Sequence, residues 1–84
     1  MKVKVELFRM NGRLRARMNV DSSIIAEWWI ESADGRRYKP LKPIPPKAQY
    51  VVNMLDNAEL EKLANFLFLG KEGEHIEFSL PKRW

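Results

Sequence analysis

Apolar and polar residues alternate through the first twenty positions of the chain. Val3, Val5 and Leu7 interleave with Lys4, Glu6 and Phe8, and after Asn11-Gly12 the residues Leu14, Ala16, Met18 and Val20 interleave with Arg13, Arg15 and Arg17. A period of two predicts strands. Asn-Gly between two such runs predicts a two-residue type I′ turn, because both central positions of that turn need positive φ. The loop length then fixes the register: Met10 faces Arg13, Phe8 faces Arg15, Glu6 faces Arg17 and Lys4 faces Asn19. One face of the hairpin holds Val3, Val5, Leu7, Leu14, Ala16, Met18 and Val20, a core face. The other presents Lys4, Phe8, Met10, Arg13, Arg15 and Arg17, a basic surface with two exposed apolar side chains.

Asp21-Ser22-Ser23 reads as a turn, and Ile24 to Glu31 as a strand rich in aromatic and β-branched residues. Ala33-Asp34-Gly35 then predicts a second hairpin, with Arg36-Arg37-Tyr38-Lys39 as its return arm. A two-residue loop would pair Ile30 with Lys39 and mix core with solvent. A three-residue loop with Gly35 in the left-handed position pairs Ile30 with Tyr38, Glu31 with Arg37 and Trp29 with Lys39, which keeps like faces together. Ala26, Trp28, Ile30 and Tyr38 then point inward, and Ile25, Trp29, Arg37 and Lys39 outward. Pro40 ends the arm, since proline cannot donate to a ladder. Residues 40–48 read as an extended, polyproline-like connector. Its P-x-x-P spacing resembles a ligand for an SH3-type groove, but a segment lying between two structured halves reads first as a stiff linker. Residues 49–54 fit either a short strand or a helical turn.

The helix that follows is the most explicit signal. Asp56 is an N-cap with Glu59 three residues on, a capping box, and Leu55 with Leu60 can form a hydrophobic staple. Leu60, Leu63, Ala64 and Leu67 recur at helical spacing until Gly70 stops the helix. Phe66, Phe68 and Leu69 widen its apolar surface beyond one stripe, so that end should be covered by the sheet or by a second subunit. After the Lys71–Glu74 loop, Ile76, Phe78 and Leu80 alternate with His75, Glu77 and Ser79 as a closing strand. The sum is an α+β single domain over residues 1–84. Its antiparallel sheet has about four to five strands, from two N-terminal hairpins and a C-terminal strand, with one α-helix packed on one face. Such sheets commonly leave the other face to solvent.

Composition narrows the class. Forty-five per cent hydrophobic residues in 84 argue for a folded chain with a modest core. With no cysteine, disulfides and thiolate metal sites are excluded. No apolar run approaches the roughly 20 residues of a membrane span, and the N-terminus lacks the apolar core of a signal peptide. A cytoplasmic or nucleoid-associated protein is expected. The net charge of +4 is uneven: residues 1–47 hold eleven Lys/Arg against five Asp/Glu, and residues 48–84 hold four against six. A basic half of this kind steers anionic partners.

Enzyme signatures are nearly absent. His75 is the only histidine, on the polar side of a strand, and serines 22, 23, 32 and 79 have no nucleophile frame around them. No glycine-rich phosphate loop occurs. Asp56, Glu59 and Glu61 could hold magnesium, but the helix N-terminus already explains them. We expect a protein that is not an enzyme, with no cofactor, no metal and no small-molecule substrate.

Binding chemistry is better represented. Lys4, Arg13, Arg15, Arg17, Arg37 and Lys39 would contact phosphates, and Phe8, Trp29 and Trp84 would stack on bases. Cations for the backbone and aromatic faces are the ingredients of single-strand binding. The expectation is a nucleic-acid-binding domain, single-stranded DNA or RNA favoured. The alternative is a protein-interaction module (an inhibitor, adaptor or assembly subunit, of the kind phage and mobile elements encode), with Phe66, Phe68, Leu69 and Trp84 as candidate interface or homodimer residues. Under that alternative Glu6–Arg17 and Glu31–Arg37 are ordinary cross-strand ion pairs. Glu27-Trp28-Trp29-Ile30, Asp34-Gly35 and Lys39-Pro40 together loosely resemble a strand-turn-strand stretch of the transcription-coactivator family that binds single-stranded DNA. The likeness covers residues 27–40 alone, needs a length change at the turn and leaves an extra strand after the helix.

Overall fold

The computed structural model describes residues 1–41 and 44–81. Its order is β1 (Lys2–Met10), β2 (Arg13–Val20), β3 (Ser23–Trp29), α1 (Pro46–Val52), α2 (Asn57–Leu69) and β4 (His75–Ser79). The four strands form one antiparallel sheet in the order β3-β2-β1-β4. This is an α+β fold.

The first hairpin has the register its turn dictates: Met10 faces Arg13, Phe8 faces Arg15, Glu6 faces Arg17 and Lys4 faces Asn19. Asn11 and Gly12 both take positive φ, 53° and 75°, as a type I′ turn requires. All seven residues of its apolar face are buried. A second two-residue turn joins β2 to β3, with Asp21 and Ser22 at φ 49° and 72°. Asp21 is tied down from both sides: its N–H donates to the Lys2 carbonyl, and its carboxylate accepts from the Lys2 N–H. β4 pairs with the outer edge of β1 and buries Phe78, with Leu80 buried just beyond it.

The helices close the core. Leu63 and Leu67 of α2, and Ala48, Val51 and Val52 of α1, join the apolar residues of β1 and β2 in a single buried cluster. The capping box at Asp56 and Glu59 forms in both directions, at 2.8 Å and 3.0 Å. Leu55 is buried and Leu60 packs on the core beside it. Gly70 ends α2 in an extended conformation (φ −65°, ψ 159°) rather than a left-handed one. Its requirement is space: a Cβ there would lie 2.5 Å from the Phe66 carbonyl oxygen and 2.8 Å from Leu7 Cδ1.

Four expectations are corrected. There are two helices, because residues 46–52 form α1. Pro46 opens it at a position where proline's fixed φ suits a first turn, and Ala48, Val51 and Val52 share one buried face despite two β-branched residues. Residues 36–39 do not form a strand. The expected register survives as one bridge, Glu31 to Arg37, with Tyr38 N–H donating to Ile30, and the return arm goes no further. Tyr38 is exposed instead of inward. Ile25 turns toward the core instead of outward, because a β-bulge interrupts the β2–β3 register: Met18 faces Ala26 while Asn19 faces Ile24. Part of the proline connector (42 and 43, hence the full P-x-x-P spacing) and Trp84 lie outside the described residues.

Candidate nucleic-acid interface

The face of the sheet opposite the helices is built from the polar positions of β1 to β4, and the registers place those residues in rows. Phe8, Arg15 and Trp29 stand side by side across β1, β2 and β3. The next row is Glu6, Arg17 and Glu27, with His75 of β4 beside Glu6. The row after that is Lys4, Asn19 and Ile24, with Glu77 beside Lys4.

Cations and rings are interleaved. The Arg13 and Arg15 guanidinium carbons lie 4.3 Å and 4.6 Å from the Trp29 ring centroid, and that of Arg17 lies 4.3 Å from the Phe8 centroid. Contacts of this kind use the attraction between a cation and the ring quadrupole. Arg13 also donates twice to the Glu31 carbonyl, at 2.7 Å and 3.2 Å. Among the described residues no carboxylate lies within ion-pair distance of Arg13, so its charge stays uncompensated.

Arg15 and Arg17 are compensated, and by the same group. Glu27 accepts from Arg17 at 2.7 Å and from Arg15 at 3.4 Å. Glu6 lies 3.7 Å from Arg17 and also accepts from Asn19, while Lys4 approaches it from the next row at 3.8 Å. The Arg17 hydrogen bond, with its charge, holds the Glu27 carboxyl below the usual carboxylate range, and Glu27 in turn raises Arg17. Burial opposes both shifts and is outweighed.

Of the eight residues assigned to this surface by sequence, six assemble on it: Lys4, Phe8, Arg13, Arg15, Arg17 and Trp29. Arg37 does not. Its guanidinium donates to the carbonyls of Leu67 and Gly70, both at 3.0 Å, closing the carbonyl end of α2. That end of a helix carries partial negative charge and orphan acceptors, so a guanidinium within reach is drawn to it rather than to solvent. Lys39 is exposed beyond the last strand and lines a narrow cleft with the core-side residues Trp28, Ile30 and Leu67. The Glu31–Arg37 ion pair is replaced as well: the Glu31 carboxylate accepts from the Leu14 N–H at 2.9 Å and lies 3.5 Å from Arg9.

Glu27 is the residue that sequence reading missed. Treating Asp21-Ser22 as a two-residue turn would have set Arg17 opposite Ala26; only the bulge between Asn19 and Met18, one residue further along, brings Arg17 opposite Glu27. The bulge concealed it, because no residue of either strand announces the offset. Elsewhere, Phe66 packs on the core while Phe68 and Leu69 stay exposed. Ile25 and Tyr50 line an apolar groove with Pro46 and Lys47. No helix among the described residues is long and apolar enough to cross a membrane, and they contain no cluster of acidic residues and histidine suited to a metal ion. Comparison with protein families, characterised proteins and solved structures gives no significant match. The strand-turn-strand likeness over residues 27–40 does not carry into the fold, since its second arm is not a strand.

Proposed function

We propose that this chain is a small, non-enzymatic nucleic-acid-binding domain that uses the open face of its sheet. The observation that carries the reading is the row Phe8–Arg15–Trp29, with Arg13 uncompensated beside it, on the face that neither helix covers. Aromatic faces supply about 1–3 kcal/mol per stacked base, and guanidinium groups neutralise phosphates. Both lie within one patch of the central strands. Titrating tryptophan fluorescence with single- and double-stranded oligonucleotides at low and moderate salt tests this. The expected result is saturable quenching that weakens with salt. In Arg13→Ala/Arg15→Ala the salt slope should fall by roughly 0.7 for each phosphate of a single strand that is no longer neutralised. An unchanged slope and affinity in that variant would sink the reading.

Phe68 and Leu69, 49% and 68% exposed at the end of α2, favour a second reading as a protein-interaction module. Sedimentation tests it: a dimer in the native protein that Phe68→Asp dissociates would support this reading, and a monomer at all concentrations would remove the homodimer.

A further inference from the structure

The open face is not evenly basic, and its unevenness follows the rows. The Phe8–Arg15–Trp29 row, with Arg13 next to it, is cationic and aromatic. The adjacent row sets two carboxylates, Glu6 and Glu27, around the single guanidinium of Arg17. Those two carboxylates take up Arg17 and reach Lys4 and Arg15 on either side, so the row holds its neighbouring cations in ion pairs and separates Arg13 and Arg15 from Lys2 beyond it. Lys4 is itself drawn to Glu6, so its charge is spent on the row rather than offered past it. Glu27 also reaches back to Arg15, so a phosphate approaching Arg15 competes with a carboxylate already in place.

The aromatic positions set a second constraint. Phe8 and Trp29 stand on β1 and β3 with β2 between them, a backbone separation of about 10 Å from two strand spacings. Along a helical nucleic-acid strand successive units rise by only about 3.4 Å. Neighbouring bases can therefore reach both rings only when the strand is unstacked, and the phosphate joining them then passes over Arg15.

We propose that the open face takes a short single-stranded segment, two bases taking the places of the guanidinium groups over Phe8 and Trp29 with the phosphate between them on Arg15, and that Glu6 and Glu27 end the footprint by keeping Arg17 and Lys4 in ion pairs beyond that row. The proposal rests on the nucleic-acid reading above and adds to it a strandedness, a length and two residues that limit both. Lys4 and Lys2 lie on the far side of the carboxylate row, out of the bound segment's path. Removing the row's negative charge frees Arg17 and Lys4 and opens the way to them.

The test uses the full chain and oligothymidylates of increasing length, with affinity measured across a salt series. For the native protein, affinity should stop rising at short oligomers. In Glu6→Gln/Glu27→Gln it should keep rising with length, and the salt slope should steepen by roughly 0.7 for each additional phosphate neutralised. Glu77→Gln removes a carboxylate from the same face outside the row and should leave the length limit where it is. If the double variant does not fold, Glu27→Gln alone is read in the same way. An unchanged length limit and slope, an equal effect from Glu77→Gln, or tighter binding of a duplex of the same length would overturn the proposal while leaving the nucleic-acid reading in place. Absence of binding by the native protein to any oligonucleotide at low salt would instead overturn the reading itself, and the footprint with it.

Discussion

Two segments of this chain carry the same outward signature, an alternating run, a glycine turn and a returning run, yet only one becomes a ladder. Residues 2–20 pair along their whole length, whereas residues 24–39 produce a single bridge between Glu31 and Arg37. The turns are not what separates them: Gly35 takes positive φ as expected, and Ser32 accepts and donates across its loop. The return arms differ. Arg13 to Val20 supplies four apolar side chains on one parity, all buried. Arg36 to Lys39 supplies only Tyr38, and Pro40 follows at once. A strand is held in a sheet by what its alternate residues bury, and a correct turn cannot substitute for that. Released from pairing, Arg37 is taken up by the carbonyl end of α2.

The largest effect expected from this contrast lies in the paired arm. Leu14→Ala should cost about 2–5 kcal/mol in urea denaturation, the range for emptying a fully buried leucine site. Tyr38→Ala, at the matching place in the unpaired arm, should stay within about 0.5 kcal/mol. Equal costs would mean that the second arm is as much a part of the core as the first. Next comes Arg37→Ala, which should cost about 1–3 kcal/mol because two carbonyls are deprived of a charged donor. Arg37→Lys should restore little, since one ammonium cannot reproduce a planar fork. If Arg37→Ala costs nothing but weakens nucleic-acid binding, Arg37 belongs to the open face after all.

The smallest effect concerns pH. Glu27 has a lowered pKa in the folded protein, so it contributes stability that is fully present above the ordinary glutamate value of about 4.5 and is lost as pH falls through the lower folded value. Thermal unfolding should therefore show a decline on that acid side. Glu27→Gln should flatten it, and an identical acid profile in the variant would show that Arg17 and Glu27 are not coupled in solution.

Much of the fold was legible because its determinants are local. Asn11-Gly12 names its own turn, and the alternation on either side assigns every side chain of the first hairpin to a face. Asp56 and Glu59 announce a helix start within four residues. What escaped depended on partners distant in sequence. Arg37 could be placed only by knowing that α2 ends thirty positions away. The bulge at Ile25 is a property of the pairing of two strands rather than of either one. Gly70 reads as an ordinary helix stop, while its actual constraint is the approach of Leu7 from the opposite end of the chain. Lys4, Phe8, Arg13, Arg15, Arg17 and Trp29 were legible as one surface for the same reason as the hairpin. Glu27, which ties two of those arginines together, was hidden by the bulge that shifts β3 one residue against β2.

The two-residue turn at Asn11-Gly12 also limits how this gene can change. Because facing side chains alternate with every residue, inserting or deleting one codon between Met10 and Arg13 would shift the second strand by one position against the first. Arg13, Arg15 and Arg17 would then turn toward the helices, and Leu14, Ala16 and Met18 toward water. Such an event would remove the core and the basic face together. A change of two residues would keep both faces where they are, and a change of one would need a bulge of the kind that β3 carries at Ile25.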